Sequence, residues 1–155
     1  MRRLKIYEEN PKAVEVLREG GIVIYPTDTI YALGCDALNV RAVERICRIK
    51  GINPQKVNLS IICRELSWVS EYAKLNNLYF KLLKRNLPGA FTFILPTSSS
   101  LPKIYKNRKT VGVRIPDHAI TLALVEALGN PLLTTSVSVD DEEPEYGTDP
   151  EVIGE

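Results

Sequence analysis

Three stretches of the chain gather hydroxyls or positive charge beside a predicted strand, and these are where its chemistry would sit. The first, Pro26-Thr27-Asp28-Thr29, follows the apolar run Ile22-Val23-Ile24-Tyr25. Small hydroxyls and turn amides at a strand's C-terminal end are where α/β sheets commonly gather ligands. The same four residues also suit an ordinary turn. The second stretch, Thr134-Thr135-Ser136-Val137-Ser138, puts four hydroxyls in five positions. Hydroxyls there hydrogen-bond phosphate or carboxylate oxygens, or cap loose backbone groups of their own strand. The third covers residues 103–114 and holds five cations in twelve residues, the densest positive patch in the chain. Within it, strand alternation sets Thr110, Gly112 and Arg114 on one face and Val111, Val113 and Ile115 on the other. An Arg opposite a valine-rich face needs a specific anion, because a lone buried guanidinium is too costly. Carboxylate is its natural bidentate partner, supplied either by a ligand or by a structural salt bridge.

Other chemistries lack their residues. The chain has no GxGxxG and no GxxxxGK[ST], the phosphate-cradling glycine patterns. One histidine, His118, and three scattered cysteines, Cys35, Cys47 and Cys63, cannot make a metal cluster, so no metal site is expected. His118 falls in the first turn of a predicted helix, facing solvent. Without a nucleophile elbow or a second histidine, a hydrolase triad has no support.

Strands and helices alternate along the chain. Strands are expected at residues 4–7, 22–25, 59–63, 90–95, 110–115 and 132–135. One helix starts at Asn10-Pro11 and stops at Gly20-Gly21, and a second covers residues 40–49 with Val43, Ile46 and Cys47 inside and Arg41, Arg45 and Arg48 outside. A third covers residues 76–85, and a fourth is capped by Asp117 and closed by Gly129. The expected fold is α/β, a single domain over residues 1–155 with a twisted mixed sheet and flanking helices. Asp149-Pro150-Glu151 reads as a helix start only four residues before the chain stops, so truncation at the C-terminus is expected.

The 155 residues are 45% hydrophobic and 25% charged, which fits one globular domain and excludes a disordered or collagen-like chain. No run approaches the ~18 apolar residues of a membrane span, and MRRLKIYEEN lacks the apolar core of a secretory signal. An odd, dispersed set of cysteines fits a reducing, cytoplasmic setting. The formal charge of +1 conceals a split. Eight acidic residues and no basic one follow Val139, which leaves 20 basic against 11 acidic residues before it, a body of +9. Such a body favours a polyanion: nucleotide phosphates, RNA or its own acidic tail.

Read together, YPTDTIYALGCDA, RICRIKG, LPGAFTFIL, KTVGVRIPDH and PLLTTSVS stand in the order and spacing of the YrdC/Sua5 superfamily. The chain most resembles its YciO-like branch, through ICRI, CRELS and the doubled threonine-serine ending. The resemblance implies the YrdC-like fold, a basic concave surface, and a nucleotidyltransferase that makes threonylcarbamoyl-AMP from threonine, bicarbonate and ATP for the t6A modification of tRNA. Mg²⁺ would ride with ATP, and no tightly bound cofactor is implied. By position, Thr27, Thr29, Tyr31, Arg114 and Ser136 would bind threonine, with Arg114 on its carboxylate. Lys50, Thr110, Ser136 and Ser138 would face the nucleotide, and catalysis would be mostly positioning, with no catalytic residue singled out. The family's Lys-x-Arg pair reads Lys50-Gly51-Ile52 here, its Ser-x-Asn reads Ser136-Val137-Ser138, and a histidine used near threonine by some members falls at Cys63. Arg48, Lys56, Arg64 and Arg108 are the cations available to replace the missing guanidinium. These departures keep open a rival reading: a nucleotide- or double-stranded-RNA-binding paralogue without synthase turnover.

Overall fold

In the computed structural model the described residues are 6–26, 31–89, 91–107 and 109–136. They form one six-stranded sheet in the order β1-β2-β6-β3-β5-β4, with helices on both faces. The strands are β1 (Val23–Pro26), β2 (Tyr31–Asp36), β3 (Ser60–Ile62), β4 (Phe93–Pro96), β5 (Thr110–Arg114) and β6 (Leu132–Ser136). The helices are α1 (Ile6–Arg18), α2 (Val40–Lys50), α3 (Leu66–Tyr72), α4 (Asn77–Asn86) and α5 (Ala119–Leu128). Only β3 and β5 pair in parallel; every other neighbour is antiparallel, so the sheet is mixed.

Two cores follow from strand alternation. Leu33, Cys35, Ile61, Cys63, Val111, Val113 and Leu133 point to one face, which α2, α3 and α4 cover with Val43, Ile46, Val69 and Leu83. Val23, Tyr25, Ala32, Ile62 and Leu132 point to the other, where α1 and α5 add Leu17, Leu124 and Leu128. Covering on both faces explains why the run from Ile22 to Tyr25 is apolar without a break. Helix α2 has a clear start and stop: Asn39 Oδ1 accepts from Ala42 N at 3.1 Å, and Gly51 turns the chain out with φ 67°. Its stripe Val43, Ile46 and Cys47 is buried while Arg41, Arg45 and Arg48 are exposed.

Several expectations are corrected. Of the strand expected at residues 4–7, Ile6 and Tyr7 belong to α1, and the first two residues lie outside the described set. The helix does not start at Asn10-Pro11; it begins at Ile6, and Pro11 sits inside it. The α5 cap is His118, not Asp117: His118 has extended backbone and its Nδ1 accepts from Thr121 N at 3.4 Å. The imidazole is therefore partly buried against the helix start rather than turned to solvent. Strand β2 and helix α3 had no counterpart in the expected elements. The helix start at Asp149-Pro150-Glu151 lies outside the described residues.

Candidate functional site

The chain reversals bring one end of the sheet together. Strands β1 and β6 leave the sheet where β2, β3 and β5 enter it, because their pairings alternate in direction around the single parallel pair. Helix α2 runs back against β2, so Lys50 at its C-terminus, half-buried, reaches that same end. The connection holding Thr27 and Thr29 joins β1 to β2 there, but both residues lie outside the described set, as do Ser138 and Arg108. Tyr31 and Ser136 are placed by backbone only, opposite Pro26 and Ala32 respectively.

On the α1/α5 side of the sheet, the apolar covering gives way to a polar row. Gly34, Thr134, Ser60 and Gly112 are successive cross-strand partners on β2, β6, β3 and β5. Partners in register share a face, so two hydroxyls stand between two glycines. Arg114 lies one step away on the same face, in register with Ile62, and is half-buried with its Nε atom closed off from solvent. At the opposite end of β5 the Thr110 hydroxyl bonds to Asn58 Oδ1, which anchors the loop leading into β3. The alternation expected on β5 holds: Val111, Val113 and Ile115 are buried in the α2-side core.

Each glycine of the row makes room for a neighbouring side chain. A Cβ on Gly112 would stand 2.4 Å from Ser60 Oγ and 3.1 Å from Thr92 Cγ2, so the gap between Thr110 and Arg114 is already filled by neighbouring side chains. A Cβ on Gly34 would stand 2.4 Å from Tyr25 Cε1, because the tyrosine ring lies across that glycine. Tyr25 is wholly buried, and burial raises its phenol pKa; Thr134, as a hydrogen-bonding neighbour, and then the charge of Arg114 act in the opposite direction.

Some candidates fall elsewhere. Cys63 points into the α2-side core, away from Arg114, and burial pushes its thiol up to about 12. Ile52 is half-buried and packs on that same core. Arg64 lies just past the end of β3 and pairs with Glu126 at 3.1 Å on the surface. Arg48 and Lys56 are exposed. Among the described residues no group of His, Cys, Asp or Glu could hold a metal ion. Sequence reasoning passed over Tyr25, Ser60 and Asn58. The signal available for Tyr25 was weak, a tyrosine ending an otherwise aliphatic run, and Ser60 and Asn58 sat in a segment read only as a strand.

Comparison with known proteins shows the family and the fold. Residues 15–154 match the family model of Sua5, YciO and YrdC, whose description reads Telomere recombination. The uncharacterized protein YciO of Escherichia coli (strain K12) is 43% identical over 146 residues, which span 89% of this chain and 70% of that protein. Its crystal structure gives a TM-score of 0.78 across 87% of this chain and 66% of the other. A threonylcarbamoyl-AMP synthase of Halorhodospira halophila is 34% identical over 134 residues, 85% of this chain and 70% of that one. The crystal structure of P. abyssi Sua5 complexed with L-threonine matches with a TM-score of 0.78 at 33% identity, over 89% of this chain and 41% of that one.

Proposed function

The chain belongs to the Sua5/YciO/YrdC family, and from that premise we propose that it is an L-threonylcarbamoyladenylate synthase serving tRNA t6A modification. The observation that carries the reading is the row of Thr134 and Ser60 between two glycines, with Arg114 beside it on the same face. In this reading Arg114 holds the threonine carboxylate in a bidentate pair, and Thr27, Thr29 and Tyr31 surround the rest of the amino acid. Lys50, Thr110, Ser136 and Ser138 line the path of the ATP phosphates, which bring their own Mg²⁺. The threonine ammonium gives up a proton to solvent, and the free amine adds to the carbon of bicarbonate with loss of water. A carbamate oxygen then attacks the α-phosphate, and pyrophosphate leaves. No side chain need exchange a proton with the substrate; the rate comes from alignment and charge stabilisation. Three free, buried cysteines fit a reducing compartment, and we place the protein in the cytoplasm. Among the described residues no helix is long and apolar enough to cross a membrane.

One observation favours a second reading. Ile52, at the position of the family's second cation, packs on the core and presents no charge to a phosphate. Charged hydrogen bonds contribute about 1.5–3 kcal/mol each, so its absence weakens ATP binding by roughly tenfold to a hundredfold. A paralogue that binds nucleotide or double-stranded RNA without turnover would carry this substitution. Residues 74–116 support a polyanion partner, since they hold nine cations and no acidic residue. Phosphate-dominated binding of RNA would fall steeply with salt.

Incubating the chain with threonine, bicarbonate and ATP, and measuring AMP adduct and pyrophosphate, separates the two. Pyrophosphate that requires both threonine and bicarbonate supports the synthase. ATP binding without pyrophosphate supports the paralogue, and Ile52→Arg is then expected to tighten ATP binding by about tenfold.

A further inference from the structure

The Tyr25 hydroxyl is the feature that neither the fold nor the proposed chemistry has used. Its oxygen is shut off from solvent and makes no well-formed hydrogen bond among the described residues, although the Thr134 hydroxyl lies near enough to act on it. A buried phenol normally finds a partner, because leaving its hydroxyl unsatisfied is costly. The position is also built, not accidental. The ring crosses Gly34, where any Cβ would collide at 2.4 Å, and this directs the hydroxyl from edge strand β1 over β2 toward the centre of the sheet. The polar groups that act on it are the Thr134 hydroxyl on β6, at close range, and the charge of Arg114 on β5. Burial keeps the phenol protonated, so it stands as a hydrogen-bond donor on the sheet face that also carries Arg114.

A neutral donor and a guanidinium on one face together suit an acceptor with several lone pairs, and a carboxylate has about four. We infer that Tyr25 is a substrate-binding residue, donating its phenolic hydrogen bond to the same amino-acid carboxylate that Arg114 holds. The inference rests on the threonine reading above and extends it: the carboxylate is read from two sides, by the fork of Arg114 and by one neutral donor. Gly34 has a role in that recognition, since it is the space over which the ring lies.

Tyr25→Phe removes one oxygen and keeps the ring on Gly34. Calorimetric titrations with L-threonine and, separately, with ATP, beside melting curves without ligand, test the assignment. Threonine affinity is expected to fall by about tenfold to a hundredfold, with ATP affinity within twofold of the parent and the ligand-free melting temperature unchanged or raised. Unchanged threonine affinity in Tyr25→Phe, with affinity lost in Arg114→Ala, overturns the role of Tyr25 and leaves the threonine reading standing. Equal losses for threonine and ATP together with a lowered melting temperature also overturn it, leaving the phenol as scaffold. A parent protein that takes up no threonine overturns the threonine reading itself, and this inference with it.

Discussion

The two faces of the sheet carry the same kind of small polar side chain to opposite ends. On the α2 side, Cys35 and Cys63 are sunk among Leu33, Ile61 and Leu133, and burial lifts both thiols to about 12. On the α1/α5 side, Ser60 and Thr134 stand in a row between glycines, with Arg114 half-buried beside them. One face is filled by volume, the other is shaped by hydroxyls, a charge and the absence of Cβ atoms. Adjacent residues on one strand therefore answer to different forces. Leu133 is held by packing, and Thr134, next to it, by what it can bond.

The largest effect is expected where that division is broken from the packed side. Leu133 is 1% exposed, and Leu133→Ala is expected to cost about 2–5 kcal/mol of stability, as buried leucine truncations do. Denaturant titration reads it directly. Thr134→Val, one residue on, keeps the volume and removes the hydroxyl; it is expected to leave stability within about 1 kcal/mol and to weaken threonine binding. Equal stability losses at the two positions would mean that both faces are simply core.

Arg114 marks the polar face. Arg114→Ala is expected to weaken threonine about tenfold to a hundredfold with the fold intact, and Arg114→Lys to rescue poorly because the planar fork is lost. A structural salt bridge would behave otherwise, lowering the melting temperature without ligand while threonine affinity held. Gly112 tests the boundary between the two regimes. Gly112→Ala places a Cβ 2.4 Å from Ser60 Oγ and 3.1 Å from Thr92 Cγ2, so a loss of about 1–3 kcal/mol is expected from overpacking. Ser60→Gly in the same chain removes the nearer clash and is expected to recover part of that loss. If Gly112→Ala alone is neutral, the row is looser than its register implies.

How much of this was legible depended on whether a local signal was also the decisive one. Strand β5 was readable because Val111 and Val113 alternate with Thr110, Gly112 and Arg114, and both faces obey that pattern. Helix α2 was readable because its apolar stripe ends at Gly51, where only the left-handed region closes the turn. Strand β2 was not, since Tyr31-Ala-Leu-Gly-Cys-Asp has no β-branched residue; it is a strand because β1 and β6 pair with it on both sides. The segment around Ile6 and Tyr7 looks like a short strand locally and is helical because α1 packs on α5 and the sheet through Ala13, Val14 and Leu17. Asp117 is the stronger capping residue by type, yet the chain enters α5 at His118, whose extended backbone fills the cap position. Arg114 could be singled out because charge opposite valines is conspicuous. Tyr25 could not, because its meaning lies in Gly34 and Thr134, distant in sequence and brought near only by the β1-β2-β6 order.

The smallest effect concerns the thiols, and it probes whether the α2 face stays dry. Both Cys35 and Cys63 are raised by burial above the ordinary thiol value of about 8.5, so the folded chain keeps protons that the unfolded chain releases. The sign follows: their contribution to stability is fully present below about pH 8.5 and is lost progressively as pH rises from there toward 12. At pH 8.5, where half of each unfolded thiol ionises, the loss is about 0.4 kcal/mol per thiol. Denaturation midpoints are therefore expected to be flat between pH 7 and 8 as far as these groups act, and to decline above that. The double variant Cys35→Ala/Cys63→Ala, less stable throughout from lost packing, is expected to show a shallower decline than the parent. Folded protein at pH 8 should also resist alkylation at both thiols until denaturant is added. A decline of the same slope in parent and double variant, or rapid alkylation of folded protein, would mean that water reaches the α2 face and that the division between the two faces is weaker than their packing implies.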